Sequence, residues 1–106
     1  MSKPDRLLSM LGLAAKSGNV VSGEFQTETA IKSGKARLVI LSEDASDNTK
    51  RKFTNMCEYR DIPYREYRDM ETLGHAIGKE ARSSLALTND GFADAIRKLF
   101  QEQMTQ

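Results

Sequence analysis

The sequence predicts an α/β domain whose sheet is covered by helices on both faces. Three observations carry that reading. Helical and extended patterns alternate along the whole chain in the order α-β-α-β-α-β-α-β-α. Leu38-Val-Ile-Leu41 is apolar without interruption, as expected of a strand buried on both sides. The chain has 106 residues, enough for one core and one domain.

The elements follow in order. Pro4 and Asp5 open a first helix whose apolar face carries Leu7, Leu8, Leu11, Ala14 and Ala15, and Ser17-Gly18 stops it. Asn19 to Val21 is a short strand. Glu24 to Ser33 is a second helix, with Ser22 as its expected cap and Gly34 as its C-terminal stop. Leu38 to Leu41 is the second strand, and Ser42-Glu-Asp-Ala-Ser46 is a turn. Asp47 to Tyr59 is a third helix that buries Phe53, Met56 and Cys57. Asp61-Ile-Pro63 breaks the chain before a strand at Tyr64 to Tyr67. Asp69 caps a short helix, Met70 to Ile77, ended by Gly78. Ser84 to Thr88 is a fourth strand. Asn89 or Asp90 caps a last helix that buries Phe92, Ile96, Leu99 and Phe100.

Composition excludes several classes. No apolar stretch approaches the ~18 residues of a membrane span, and no signal peptide is expected. Cys57 is the single cysteine, so no internal disulfide or cysteine-rich metal site forms. A free thiol fits a cytoplasmic location. Net charge is +1, from 16 basic and 15 acidic residues, so nucleic-acid binding must rest on how charge is distributed. Lys50-Arg51-Lys52 reads as a solvated helix face.

Catalytic chemistry finds little to use. His75 is the only histidine and stands near no cysteine. Cys57 falls on an apolar helix stripe, where it acts as a small hydrophobe. Glu43-Asp44 follow a buried strand, a place where carboxylates can hold magnesium, but acids before a helix are also ordinary caps. No phosphate-cradling loop, dinucleotide fingerprint or nucleophile elbow occurs. The expectation is a protein that is not an enzyme, with no catalytic residue, no metal, no cofactor and no small-molecule substrate.

Two stretches suit an anion instead. Ser22-Gly23 leads into the second helix, whose first N–H groups and dipole favour phosphate. Gly23 lets another backbone approach, and the Gln26 amide can both donate and accept toward a base edge. The second stretch is Leu73-Gly-His-Ala-Ile-Gly78-Lys-Glu-Ala-Arg82. Its two glycines four apart allow tight packing, and Lys79 and Arg82 lie just before the last strand.

Taken together, these stretches resemble a known family. Gly23, Gly34, Ala36-Arg-Leu-Val-Ile40, Glu43-Asp44, Cys57, Asp61-Ile-Pro-Tyr64 and Leu73-Gly-x-Ala-x-Gly78 occur in its order. It is the superfamily of ribosomal proteins L-seven-Ae and L-thirty and the Gadd-type proteins. Leu11-Gly-Leu-Ala-x-Lys-x-Gly18, Glu43-Asp-Ala-Ser46 and Ile77-Gly-Lys-Glu-Ala-Arg82 point to its bacterial YlxQ branch. The resemblance runs from about Leu7 to Phe100. It implies a three-layer α/β/α sandwich with a four-stranded mixed sheet, a single RNA-binding domain over 1–106, and a ribosome- or translation-associated task. In such proteins the helix after the matching glycine reads a kink-turn, and the loop before the last strand covers an extruded base. Carried over, the RNA-binding candidates are Ser22, Gly23, Glu24, Gln26, Lys79 and Arg82. Lys32, Lys35 and Arg37 are added as phosphate contacts. Gln26 agrees with the family pattern. Phe25 replaces its Asn, Thr29 its Lys and Ser33 its Arg, so the resemblance carries over binding to a kinked or bulged RNA, a kink-turn included, without the full set of kink-turn contacts. The alternative is a protein-interaction or regulatory module that keeps the fold without the RNA site.

Overall fold

A computed structural model describes residues 5–104. Nine elements follow the predicted order: α1 (Arg6–Lys16), β1 (Val20–Ser22), α2 (Glu24–Lys32), β2 (Leu38–Leu41), α3 (Asp47–Arg60), β3 (Tyr64–Glu66), α4 (Met70–Ala76), β4 (Ser84–Leu87) and α5 (Asp90–Met104). Caps fix most helix starts. Asp5, Ser46 and Asp69 accept from the backbone N–H of Leu8, Thr49 and Thr72, and Asn89 accepts from that of Phe92. Pro4, expected beside Asp5 at the first start, lies outside the described residues.

The sheet is mixed, in the order β1-β4-β2-β3. β4 runs antiparallel to both of its neighbours, pairing Ser22 with Leu85 and Leu41 with Ser84. β2 and β3 are parallel and joined through α3, which places Leu41 opposite Glu66. Alternation along the inner strands divides two cores. Leu38, Ile40, Leu85 and Leu87 face α1, α4 and α5, where Leu7, Leu11, Leu73, Ile96 and Phe100 meet them. Val39, Leu41 and Ala86 face α2 and α3, against Ile31, Phe53 and Cys57. That is the three-layer α/β/α sandwich, and every residue of β2 and β4 is buried, as two covered faces require.

Some expectations change by a residue or a role. β1 extends to Ser22 because Ser22 pairs with Leu85, so Ser22 belongs to the strand and the residue at the α2 cap position is Gly23. Met56 and Phe92 are only partly buried, packed at the margins of the two cores. Lys50 and Lys52, read as solvated, are both paired: Lys50 with Glu66 at 3.2 Å, Lys52 with Glu24 at 3.1 Å and Glu28 at 2.7 Å. Among the described residues no helix is long and apolar enough to cross a membrane.

Candidate nucleic-acid interface

The topology gathers one end of the sheet into a single rim. β1 ends there, β4 begins there, and β2 and β3 end there. The Gly23 N–H donates to Ser84 O at 3.0 Å, which sets the start of α2 against the start of β4. The loop before β4 is pinned on both flanks. The Lys79 N–H donates to Gly74 O at 2.9 Å and the Arg82 N–H to Met70 O at 2.9 Å, while Ser83 O accepts from Ser42 N–H at 3.0 Å.

Gly74 is what lets this loop lie so close. A Cβ there would stand 1.8 Å from Glu80 O and 3.0 Å from Ala81 Cα. The loop backbone therefore crosses directly over α4 at its one residue without a side chain. Gly78 serves differently: its φ is +75° and a Cβ would meet nothing, so it supplies a left-handed turn.

The start of α2 differs from the other helix starts. Gly23 adopts φ 90° and ψ 161°, a region open almost only to glycine, and no side chain caps the helix. A Cβ at Gly23 would meet no atom, so the space above this backbone is open. The first-turn N–H groups of α2 have no side-chain cap, and the helix dipole favours an anion at this end. An aspartate at 23 would therefore meet backbone strain that opposes any gain as a cap.

Five of the candidates meet here. The Arg82 Nε donates to Ser22 Oγ at 3.1 Å, and its Nη1 donates to Ala81 O at 3.0 Å. The guanidinium is thereby held beside the last residue of β1 and next to Gly23. Lys79, in the same loop, is exposed and has no ion-pair partner among the described residues. Gln26 is exposed one turn into α2.

Acids share the rim. Glu24 is tied to Lys52 at 3.1 Å, and Asp44 Oδ1 accepts from Met70 N–H at 3.0 Å. Glu43 and Glu80 are exposed. The rim thus carries both signs, with its cations concentrated on the loop beside Gly23.

Lys32, Lys35 and Arg37 are not brought to this rim. α2 has nine residues, so its last turn lies about 12 Å from its first. Beyond it the Arg37 N–H donates to Leu87 O at 2.7 Å, at the opposite end of β4. Lys32 is held by Glu28 at 2.7 Å, and Arg37 by Asp90 at 3.1 Å. Lys32 and Lys52 together hold the Glu28 carboxyl down to about 2.

Thr29 and Ser33, which stand where the resemblance implies cations, are exposed but bonded back to their own helix. Their hydroxyls donate to Phe25 O at 2.9 Å and Ala30 O at 3.4 Å. In the sequence, Phe25 stands where the resemblance implies an Asn. In the structure it is 80 % exposed at the start of α2, an aromatic face with no core to fill. Residue identity could have flagged it, since an aromatic among polar first-turn residues has no obvious packing reason to be there.

The remaining chemical candidates stay apart. Cys57 is buried, and burial pushes its thiol up to about 11, so it stays protonated. His75 is exposed on α4. Among the described residues no three of His, Cys, Asp and Glu cluster to hold a metal ion.

Fold and rim together define an α/β/α domain that presents an open helix start beside a cationic loop. Residues 5–97 match the family described as Ribosomal protein L7Ae/L30e/S12e/Gadd45, and the chain belongs to that family. It is 44 % identical over 90 residues to a protein of Bacillus subtilis (strain 168) named RNA-binding protein YlxQ, covering 85 % of this chain and 90 % of that one. A protein of the same name from Enterococcus faecium is 30 % identical over 96 residues, covering 91 % and 92 %. Among solved structures, a protein of unknown function from Bacillus halodurans C superposes with a TM-score of 0.89 at 36 % identity, covering 92 % of this chain and 99 % of its own. The Giardia lamblia 15.5kD RNA binding protein shares the fold with a TM-score of 0.77 at 19 % identity, covering 94 % and 89 %.

Proposed function

We propose that this protein is a non-catalytic RNA-binding protein of the translation apparatus. It takes a kinked or bulged RNA on the rim formed by the start of α2 and the loop before β4. The observation that carries the reading is the junction at Ser22. The Arg82–Ser22 hydrogen bond fixes a guanidinium beside Gly23, where the helix start is uncapped and the space above is open. Phosphate suits the N–H groups, Arg82 and Lys79, and a base edge suits Gln26. Phe25 gives the rim a stacking face, which accepts any unpaired base. The names of the Bacillus and Enterococcus relatives support the same partner. Thr29 and Ser33, bonded to their own helix, give no support to kink-turn contacts of the usual kind.

The exposed Phe25 also favours a second reading, a protein-contact module on the same fold. Salt separates the two, because binding through several phosphates weakens steeply as salt rises. The test is a filter-binding titration of structured RNA at several salt concentrations. Lys79→Ala with Arg82→Ala should weaken binding by about 1–3 kcal/mol. Lys79→Ala alone is the cleaner variant, since Arg82 also holds Ser22. A folded double variant with unchanged RNA affinity would remove the rim from the RNA reading.

A further inference from the structure

Two sequence motifs, one of them shared with the rim loop, meet in a cleft behind the rim. Leu11-Gly-Leu-Ala-x-Lys-x-Gly18 supplies Gly12, Ala15 and Lys16 from α1, and Ile77-Gly-Lys-Glu-Ala-Arg82 supplies Lys79. Val20 and Ser22 of β1 join them around a space of about 330 Å³. Helices α1 and α4 approach closely here, a Cβ on Gly12 standing 3.0 Å from Ala76 O. The lining contains two ammonium groups and no carboxylate. Neither Lys16 nor Lys79 has an ion-pair partner among the described residues. The cleft adjoins the rim through shared residues, because Ser22 accepts the Arg82 hydrogen bond and Lys79 belongs to the same loop.

We propose that this cleft binds one phosphate-bearing nucleotide of the RNA strand that contacts the start of α2, with Lys16 as a phosphate contact. The inference rests on the RNA reading above and extends it. The volume suits a single nucleotide, the apolar part of the lining suits a sugar or base face, and the two lysines suit an anion. The strand would then leave the rim toward α1, and not along α2 toward Lys35 and Arg37.

The experiment compares the full chain with Lys16→Gln, Lys79→Ala and Lys98→Gln, the last an exposed lysine on α5 outside both rim and cleft. Binding of a structured RNA is titrated across a salt series, and melting curves confirm folding. The proposal expects Lys16→Gln to weaken binding about five- to tenfold and to flatten the salt slope by about 0.7–0.9. Lys98→Gln should change neither quantity. Crosslinking of 4-thiouridine-labelled RNA should label the peptide containing Gly12 and Lys16. If the parent binds RNA, Lys79→Ala weakens it and Lys16→Gln changes neither affinity nor slope, the cleft is not on the strand's path and the rim reading stands. If the parent binds no RNA, the rim reading falls and the cleft proposal with it. A nuclear magnetic resonance titration with a nucleoside monophosphate gives the last arm. Saturable shifts at Gly12 and Gly78, with no RNA crosslink there, would assign the cleft to a free nucleotide and overturn the strand path.

Discussion

Replacing Gly74 by alanine should dislodge the cationic loop before it alters anything else. The new Cβ would lie 1.8 Å from Glu80 O, 2.6 Å from Glu80 C and 3.0 Å from Ala81 Cα. All three are backbone atoms, so no side chain can swing aside. Restoring ordinary van der Waals contact requires the 80–81 backbone to retreat by roughly 1.5 Å. That movement pulls on two hydrogen bonds, Lys79 N–H to Gly74 O and Arg82 N–H to Met70 O, both 2.9 Å. Overpacking costs about 1–3 kcal/mol. Each lost hydrogen bond adds about 0.5–1.5 kcal/mol. Alanine returns about 1 kcal/mol through its helix propensity. The net loss is about 1–5 kcal/mol, centred near 3, which in a domain of this size lowers the melting temperature by about 10–20 °C. Gly78→Ala is the control. It meets no atom and carries only the strain of its φ of +75°, about 1–2 kcal/mol. The assay is thermal unfolding by circular dichroism, with amide spectra to follow residues 79–82 and an RNA titration beside them. A Gly74→Ala protein that melts like the parent, with unshifted amides at 79–82, would refute the steric argument.

Two further outcomes follow from buried and paired groups in α2. The Thr27 hydroxyl is buried without a hydrogen-bond partner; the near-isosteric Thr27→Val should therefore stabilise the fold by about 1 kcal/mol, and a loss in denaturant titration would show that the hydroxyl is satisfied. Glu28 is held to about 2 by hydrogen bonds from Lys32 and Lys52, below its ordinary 4.5. Its contribution is therefore present above about pH 4.5 and disappears as pH falls toward 2. Glu28→Gln should flatten that part of the acid-unfolding curve, and an unchanged curve would show that the pair contributes nothing there.

Fold and site were not equally readable. The two covered sheet faces were legible in Leu38–Leu41, because burial on both sides leaves no polar position to mislead. Helix starts at Asp5, Ser46 and Asp69 were legible because their caps act on the next turn. Ser22 departs from its expected role as a cap for a related reason. Its type suits a cap, but pairing with Leu85 keeps it in β1, and that pairing is a contact 63 residues away in the chain. The same limit hid the Arg82–Ser22 bond and the separation of Lys32, Lys35 and Arg37 from the rim. Proximity in sequence placed those three near Gly23, whereas a helix of nine residues carries them to the far end of the sheet. The glycine pair was half legible. Spacing suggested close packing at both, yet only Gly74 is crowded, and Gly78 is required by its backbone angle.

The sheet is open, and its outer strands bear on what happens when copies meet at high concentration. β1 and β3 have three residues each, and the inner strands have four. β1 is bounded by Gly18 and Gly23, both with positive φ, so its extended backbone cannot lengthen in either direction. β3 is preceded by Pro63, which has no N–H to offer, and is followed closely by Arg68 at φ 59°. A foreign strand arriving at either margin would find two or three hydrogen bonds and then a bend. Short edges of this kind are a known defence against strand-to-strand aggregation. The rim that gathers the strand ends can therefore remain uncovered without the sheet becoming a template for another chain.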